Sequence, residues 1–515
     1  MCPAGAACTH RGPSGFALWA LGPWHARAVT WNRREMLAGL GVGSASLLVA
    51  FGCGAPAKQV RRATVASDDV RSWLRDAVAR LATVYPQVHA LAVSRRRTTA
   101  GIDILGTGVA RTRRDGVVFT IRDKDGTWRE HVTAELSEGG IQAAARALAG
   151  GSQRPANLEF PEPPPAAKPP MEIADDALRN RVGAIMRKDK TGSSRIVYAA
   201  ALIDIDDVNV WSIAPGMDLE QQVRRVRKRA TRAAWNGSRP SVSEIERGWA
   251  GDVDDQDLSE ADVTGASNNA TLLMTPGAFS DGEQTIVLDP GVSGTIIETA
   301  VRGLMTSAAA RRPEVDRRLA LGANVAAPTL TLIDDPRAHA AYGGFTFDDE
   351  GEPAAAVTLL DRGRVAGRLG DRAAVAAKLA LAAGRGRRPG HVGALAPTPS
   401  HLRLVPGTDN KRDLFSDGWL LEGKVGAVFD PSSDRIVIAV ARARELKNGG
   451  LTGRVYADVE VVADLSALLA NVTGVANESE TSVIREELRG EPMWRSIDAP
   501  WLRSRAMVRA RRRIT

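Results

Sequence analysis

Residues 285–304, TIVLDPGVSGTIIETAVRGL, restrict the folds open to this chain more than any other stretch. An apolar strand from Thr285 to Leu288 is stopped by Asp289-Pro290-Gly291, since proline donates no backbone hydrogen bond and glycine favours a turn. From Gly294 onward Ile296, Ile297, Ala300, Val301 and Leu304 share one face at helical spacing. The segment therefore predicts a strand, a turn and a helix with a buried face.

The same region carries Asp348-Asp349-Glu350-Gly351, preceded by Tyr342-Gly343-Gly344. Together the two segments resemble the signature region of the TldD/PmbA metallopeptidase family. There, a strand ending in an Asp-Pro-Gly-like turn leads through Gly into His-Glu-x-x-x-His, and Asp-Asp-Glu-Gly follows. The resemblance implies an α+β protein with an N-terminal α/β domain and a strand-rich C-terminal domain of TldD/PmbA type. It also implies zinc in active members and pairing of a motif-bearing subunit with a paralogue that lacks the motif.

Counted from Gly294, the first His of that motif falls on Glu298, the Glu on Thr299 and the second His on Gly303. A catalytic zinc needs neutral imidazole or thiolate ligands, an open position for water and a base to take the water's proton. Structural zinc in small peptide sites contributes about 10–16 kcal/mol, which comes from the ligands themselves. One carboxylate and no His remain here. The family resemblance also implies a third ligand from a Cys near the C-terminus, and this chain has no Cys after Cys53. The expectation is an inactive site with no catalytic residue, metal or cofactor.

At 515 residues, with 44% hydrophobic and 25% charged residues, the chain has the composition of a multi-domain globular protein. Its aromatic content of 5% argues against stacking platforms for carbohydrate or single-stranded nucleic acid. Arg33 and Arg34 precede a weakly apolar, Gly-rich run that ends in Ala50-Phe51-Gly52-Cys53. This resembles a Tat export signal with a lipobox, so the expected location is the cell envelope, anchored to a membrane through lipid on Cys53. Cleavage before Cys53 leaves one cysteine and no internal disulfide. Residues 1–52 hold four Arg and one Glu, so cleavage lowers the net charge from +8 to +5. Much of that excess lies in Arg503–Arg513, read as a solvated tail beside an anionic membrane surface rather than a nucleic-acid interface.

The expected organisation is a signal peptide with lipobox over 1–53, a tether over 54–67, an N-terminal domain over 68–150, a Pro-rich linker over 151–171, a middle domain over 172–270, a C-terminal domain over 271–508 and a basic tail over 509–515. An amphipathic helix is expected from Asp68, strands from His89 with a hairpin at Asp125-Gly126, and a helix opened by Ser137. Beyond the linker the pattern predicts a helix over 175–186 and a pair of strands broken near Asp206-Asp207. A basic helix over DLEQQVRRVRKRATRAAWNG follows, with Leu219, Val223, Val226 and Ala230 on one face. Residues 241–269 read as a polar surface excursion and GRGRRPGH (384–391) as an exposed loop.

The candidate cleft residues are Arg302, Asp348, Asp349, Glu350, His391 and His401. Asp348–Gly351 reads either as carboxylates for acid/base work or as an acidic turn. Among His10, His25, His89, His131, His339, His391 and His401 none lies three or four residues from another. His391 and His401, expected in one domain, could instead form a displaced metal site with Glu298 or Asp349. Three functions stay open: a catalytically silent subunit paired in a dimer with an active TldD-like paralogue for peptide processing, an envelope lipoprotein that binds peptide without chemistry, or a peptidase with displaced ligands.

Overall fold

The computed structural model describes residues 67–151, 154–162, 170–235, 240–275, 278–488 and 491–511. Arg33, Arg34, Cys53, the remainder of the expected export signal and the tether up to residue 66 lie outside them.

Six antiparallel strands form the first sheet in the order β3-β2-β1-β4-β5-β6. They are β1 (Gln87–Asp103), β2 (Gly106–Arg122), β3 (Trp128–Thr133), β4 (Ile196–Ala214), β5 (Met217–Trp235) and β6 (Pro240–Ala250). Because β1 pairs with β4, residues on both sides of the Pro-rich segment, read from sequence as two domains, share one sheet. Helices α1 (Ser67–Leu81), α2 (Glu138–Ala149), α3 (Asp175–Arg187) and α4 (Glu260–Ala270) cover one face. α1 and α2 pack Leu74, Val78 and Ile141 on Ala90, Phe119 and Trp211, whereas Leu178, Val182 and Val263 of α3 and α4 pack on Ile203, Val226 and Trp249. Ser137 caps α2 by accepting from the Gly140 N–H, and Gly150 closes it in the left-handed conformation. The expected hairpin at Asp125-Gly126 is present, with Gly126 at φ 89°.

The opposite face lies against the C-terminal half. Leu91, Val208 and Val210 meet Tyr342, Phe347, Val483 and Trp494. Polar groups cross the same boundary: Arg95 Nη1 donates to Glu491 Oε2 at 2.7 Å, and Arg225 Nε donates to the Tyr342 carbonyl at 2.9 Å.

Three expectations for this half are corrected. Residues 217–235 form strand β5, not a basic helix. Of the four positions that mimic a helical stripe, Val226 and Ala230 face the helices while Leu219 packs on the opposite side. The cations between them extend their stems over the sheet and reach partners beyond it, Lys228 the Gln256 carbonyl at 2.9 Å and Arg232 Asp189 at 2.9 Å. β4 is one unbroken strand. Asp206 accepts from the Trp494 indole on one face, and Asp207 takes Arg96 and Arg224 on the other, so neither aspartate breaks the ladder. The expected excursion over 241–269 contains β6 and α4, the latter opened by a capping box of Ser259 and Asp262.

The C-terminal half is built on strands β7 (Gly282–Leu288), β8 (Leu332–Asp334), β9 (Val357–Asp361), β10 (Arg364–Val365), β11 (Gly386–Arg387), β12 (Ala396–Pro397), β13 (His401–Leu404), β14 (Gly418–Asp430), β15 (Arg435–Lys447), β16 (Gly450–Tyr456), β17 (Val459–Asp464), β18 (Gly474–Leu488) and β19 (Glu491–Ala510). β19 pairs with both β17 and β7, and the chain of pairings β19-β17-β15-β14-β7 therefore returns to β19 and closes a barrel. The first part of β19 instead pairs with β18 and, in parallel, with β13. Helix α5 (Pro290–Leu304) packs Val292, Ile296, Ala300 and Leu304 into the same core as Leu421, Ile438, Val461 and Leu502. Its start corrects the expected Asp-Pro-Gly turn: Asp289 is the N-cap, accepting from the Val292 N–H at 2.7 Å, and Pro290 opens the helix. The expected basic tail is also corrected up to residue 511. Arg505 and Arg509 sit on β19 and pair with Glu283 and Glu460; residues 512–515 lie outside the described residues.

Candidate functional site

The buried face of α5 fixes which residues its other side presents. Glu298, Thr299, Arg302 and Gly303 fall on the last turns of the helix, and of these Thr299, Arg302 and Gly303 line a cleft of about 400 Å³. Its remaining walls are Phe429 and Pro431 from the end of β14, Glu486 and Leu488 from β18, and Met493 and Arg495 from β19, with Pro397, Thr398 and Pro399 across the opening.

Glu298, only 7% exposed, is not in the wall but behind it. Its Oε1 lies 3.1 Å from Arg302 Nε and 3.0 Å from Arg495 Nε. Glu486 completes a square: its Oε2 accepts from Arg302 Nη1 at 3.0 Å and from Arg495 Nη2 at 2.8 Å. Burial of Glu486 works against its charge, but Arg495 and Arg302 outweigh it and hold the carboxyl below its ordinary range. The square ties α5 to both β18 and β19.

Gly303 is in contact with an aromatic ring. A Cβ at this position would lie 2.6 Å from Phe429 Cδ1 and 2.7 Å from Cε1. The space that a side chain at 303 would enter is occupied by Phe429.

These residues do not fit a zinc ion. Thr299 and Gly303 supply no imidazole, and the one carboxylate, Glu298, already faces two guanidiniums whose charge repels a cation. Among the described residues no three His, Cys, Asp or Glu side chains converge as a metal set.

The other predicted cleft residues lie outside the cleft wall. Asp348 is fully buried; Oδ1 accepts from the Glu350 and Glu352 N–H groups at 3.0 Å each and Oδ2 from Gly386 N–H at 2.8 Å. With Gly351 at φ 82° it forms a tight turn that clamps the 386 strand. Burial pushes the Asp348 carboxyl up to about 6 and that of Glu350 up to about 7, and also raises Asp349. Glu350 Oε2 accepts from the Arg372 N–H at 2.8 Å, and Asp349 Oδ2 from the Arg388 N–H at 2.5 Å. All three carboxylates are committed to backbone groups, and the 384–391 segment they hold is buried, not exposed. Arg385 pairs with Asp334, Arg388 with Glu130, and Arg387 lies 4.5 Å over the Phe345 ring.

The two histidines are not brought together as a ligand pair. His401 Nδ1 is 2.9 Å from Ser496 Oγ and its Nε2 is 3.2 Å from Asp498. His391 lies against Gly116, where an added Cβ would fall 2.2 Å from its ring, and burial lowers its pKa. Ser496 is 1% exposed, so the Ser496-His401-Asp498 arrangement offers no accessible nucleophile.

Arg495, Glu486 and Phe429 were missed in the sequence. The Glu298–Arg302 pair carries a local signal, a four-residue helical spacing, and Glu486 and Arg495 meet nine residues apart on the adjacent strands β18 and β19; Phe429 and the helix are brought to them by long-range packing.

The chain is similar to known proteins in sequence and in fold. The pattern of the PmbA/TldA metallopeptidase C-terminal domain matches residues 281–510. A metalloprotease of Methanocaldococcus jannaschii is 24% identical over 317 residues, covering 61% of this chain and 67% of that protein. A metalloprotease of Methanothermobacter thermautotrophicus is 24% identical over 285 residues, covering 54% of this chain and 61% of that protein. TldE from Thermococcus kodakarensis shares the fold, with a TM-score of 0.66, 16% identity, and coverage of 85% of this chain and 100% of TldE.

Proposed function

Since the chain belongs to the TldD/PmbA family, we propose that it is a catalytically silent member that binds peptide in the α5 cleft and serves as the partner subunit of an active, motif-bearing paralogue. One observation carries the reading. Each position that corresponds to the zinc motif is put to another structural use, Glu298 in the ion-pair square, Thr299 in the cleft wall and Gly303 in contact with Phe429. Together they turn a region that would grip a cation into one that is internally neutralised.

Family members TldD and TldE work as partner subunits, which supports the pairing. Export through Arg33-Arg34 and lipidation of Cys53 would place the pair in the cell envelope. The test is affinity purification of the tagged full-length chain from its own cells under mild detergent. A His-Glu-x-x-x-His paralogue in stoichiometric amount, with peptidase activity that disappears when the paralogue's motif is mutated, supports the proposal. Isolation of this chain alone, with peptidase activity of its own, refutes it.

A further inference from the structure

We propose that the α5 cleft recognises the free C-terminal carboxylate of a peptide with an apolar last residue, and that Glu486 occupies the place of that carboxylate until the peptide displaces it. The inference rests on the peptide-binding reading above and names what part of the peptide is bound.

Glu486 holds one oxygen between two arginines from different elements, 3.0 Å from Arg302 and 2.8 Å from Arg495. A carboxylate between two guanidiniums is the arrangement a ligand carboxylate would adopt in the same place. The hydrogen bonds of the square are the two to Glu486, from Arg302 Nη1 and Arg495 Nη2, whereas Arg495 Nε and Glu298 Oε1, 3.0 Å apart, make a charge contact without a hydrogen bond, so the carboxylate site in front of the guanidiniums is the one Glu486 fills. Arg495 is 4% exposed and held by the core, whereas the side chain of Glu486 is 34% exposed at the cleft wall. The movable partner is therefore the glutamate. Glu298 stays behind the wall and keeps both guanidiniums in place when Glu486 leaves. The rest of the wall supplies an apolar seat in Phe429, Leu488, Met493, Pro397 and Pro399, and the cleft volume of about 400 Å³ falls in the range of roughly 300–1,000 Å³ typical of small-ligand sites. Free carboxylate plus apolar side chain is the ligand that matches both features.

Fluorescence polarisation on the full chain tests this, with fluorescein-Gly-Ala-Leu-Leu as the free acid and as the C-terminal amide. The free acid is expected to bind about tenfold or more tighter, the scale of a charge-assisted hydrogen bond. Glu486→Gln should raise affinity for the acid by more than for the amide, a gain that misfolding cannot produce. Arg302→Gln, at an exposed helix position, should abolish the acid preference. Equal binding of acid and amide, or a Glu486→Gln variant that binds the acid no better, overturns the proposal and leaves the peptide-binding reading intact. Absence of binding by either peptide removes both. Displacement of the peptide by equimolar decanoate would reassign the cleft to a lipid carboxylate and overturn the peptide assignment.

Discussion

Gly303 and Phe429 touch so closely that a single methyl group at residue 303 would fall 2.6 Å from the ring. Alanine in place of glycine in a helix interior is ordinarily favourable by about 1 kcal/mol, but overpacking of this kind costs about 1–3 kcal/mol. The clash should win, and Gly303→Ala should destabilise the chain. Made together with Phe429→Ala, where the ring is gone, the same substitution should become stabilising. Urea unfolding of the two single variants and the double variant reads this, and additive effects would contradict the contact.

The ion-pair square makes a second, larger demand. Arg495→Met would leave Glu298 facing only the partly exposed Arg302, and stripping one partner from a buried pair costs about 3–5 kcal/mol. Replacing Arg302 with Met should cost less, because Arg302 is 44% exposed in its side chain and Arg495 still faces Glu298. The order of the two unfolding midpoints is the measurement; equal midpoints would show that the square does not hold α5 to the barrel.

Acid titration should show an unusual profile. Burial raises Asp348 and Asp289 to about 6 and Glu350 to about 7 in the folded chain. Carboxyls raised in this way bind protons more tightly folded than unfolded, so the stability they contribute is complete below about pH 4 and lost as pH rises through 6 to 7. At about 1.4 kcal/mol per unit of pKa, Asp348 alone accounts for roughly 3 kcal/mol. Asp189 acts in the other direction: burial opposes its charge, but bonds from Ser267, Thr191 and Arg232 hold it at about 2, so its contribution is lost as pH falls from about 4 toward 2. His89, which burial holds down at about 3, opposes them by losing stability as pH falls below about 6.5, so three raised carboxyls against this one imidazole leave a net decline from pH 5 toward neutrality. Urea midpoints from pH 4 to 8 that stay level or rise would contradict it.

How much of this was legible in the sequence depended on the range of the interaction. The Ser137 cap, the Gly126 hairpin and the apolar face of α5 are set by residues within one or two turns, and the sequence pattern identified them. β5 was misread because both of its faces are buried: arginine and lysine stems cover the sheet as apolar groups do, and Val226 and Ala230 on one face combined with Leu219 on the other to mimic a helical stripe. That Glu298, Thr299 and Gly303 stand at the motif positions could be counted along the chain. What fills their place could not, because Phe429 on β14 and the Glu486–Arg495 pair on β18 and β19 reach the helix only through contacts distant in sequence. The alternative in which His391 and His401 converge is not realised, since each is engaged by a separate element, β2 and β19.

The export reading makes a prediction in living cells. Cys53→Ser should move the chain from the membrane fraction to the soluble envelope fraction, and Arg33→Lys with Arg34→Lys should keep it in the cytoplasm. Unchanged fractionation of both variants would refute the signal.

The central claim is that the family's zinc site has been rebuilt as a charge-neutral, ring-packed surface, and metal analysis tests it most directly. The full chain, incubated with excess zinc and dialysed against metal-free buffer, is assayed by inductively coupled plasma mass spectrometry, with a motif-bearing paralogue as the positive control. The account predicts that the paralogue retains zinc and this chain retains none; one equivalent bound to this chain would contradict it.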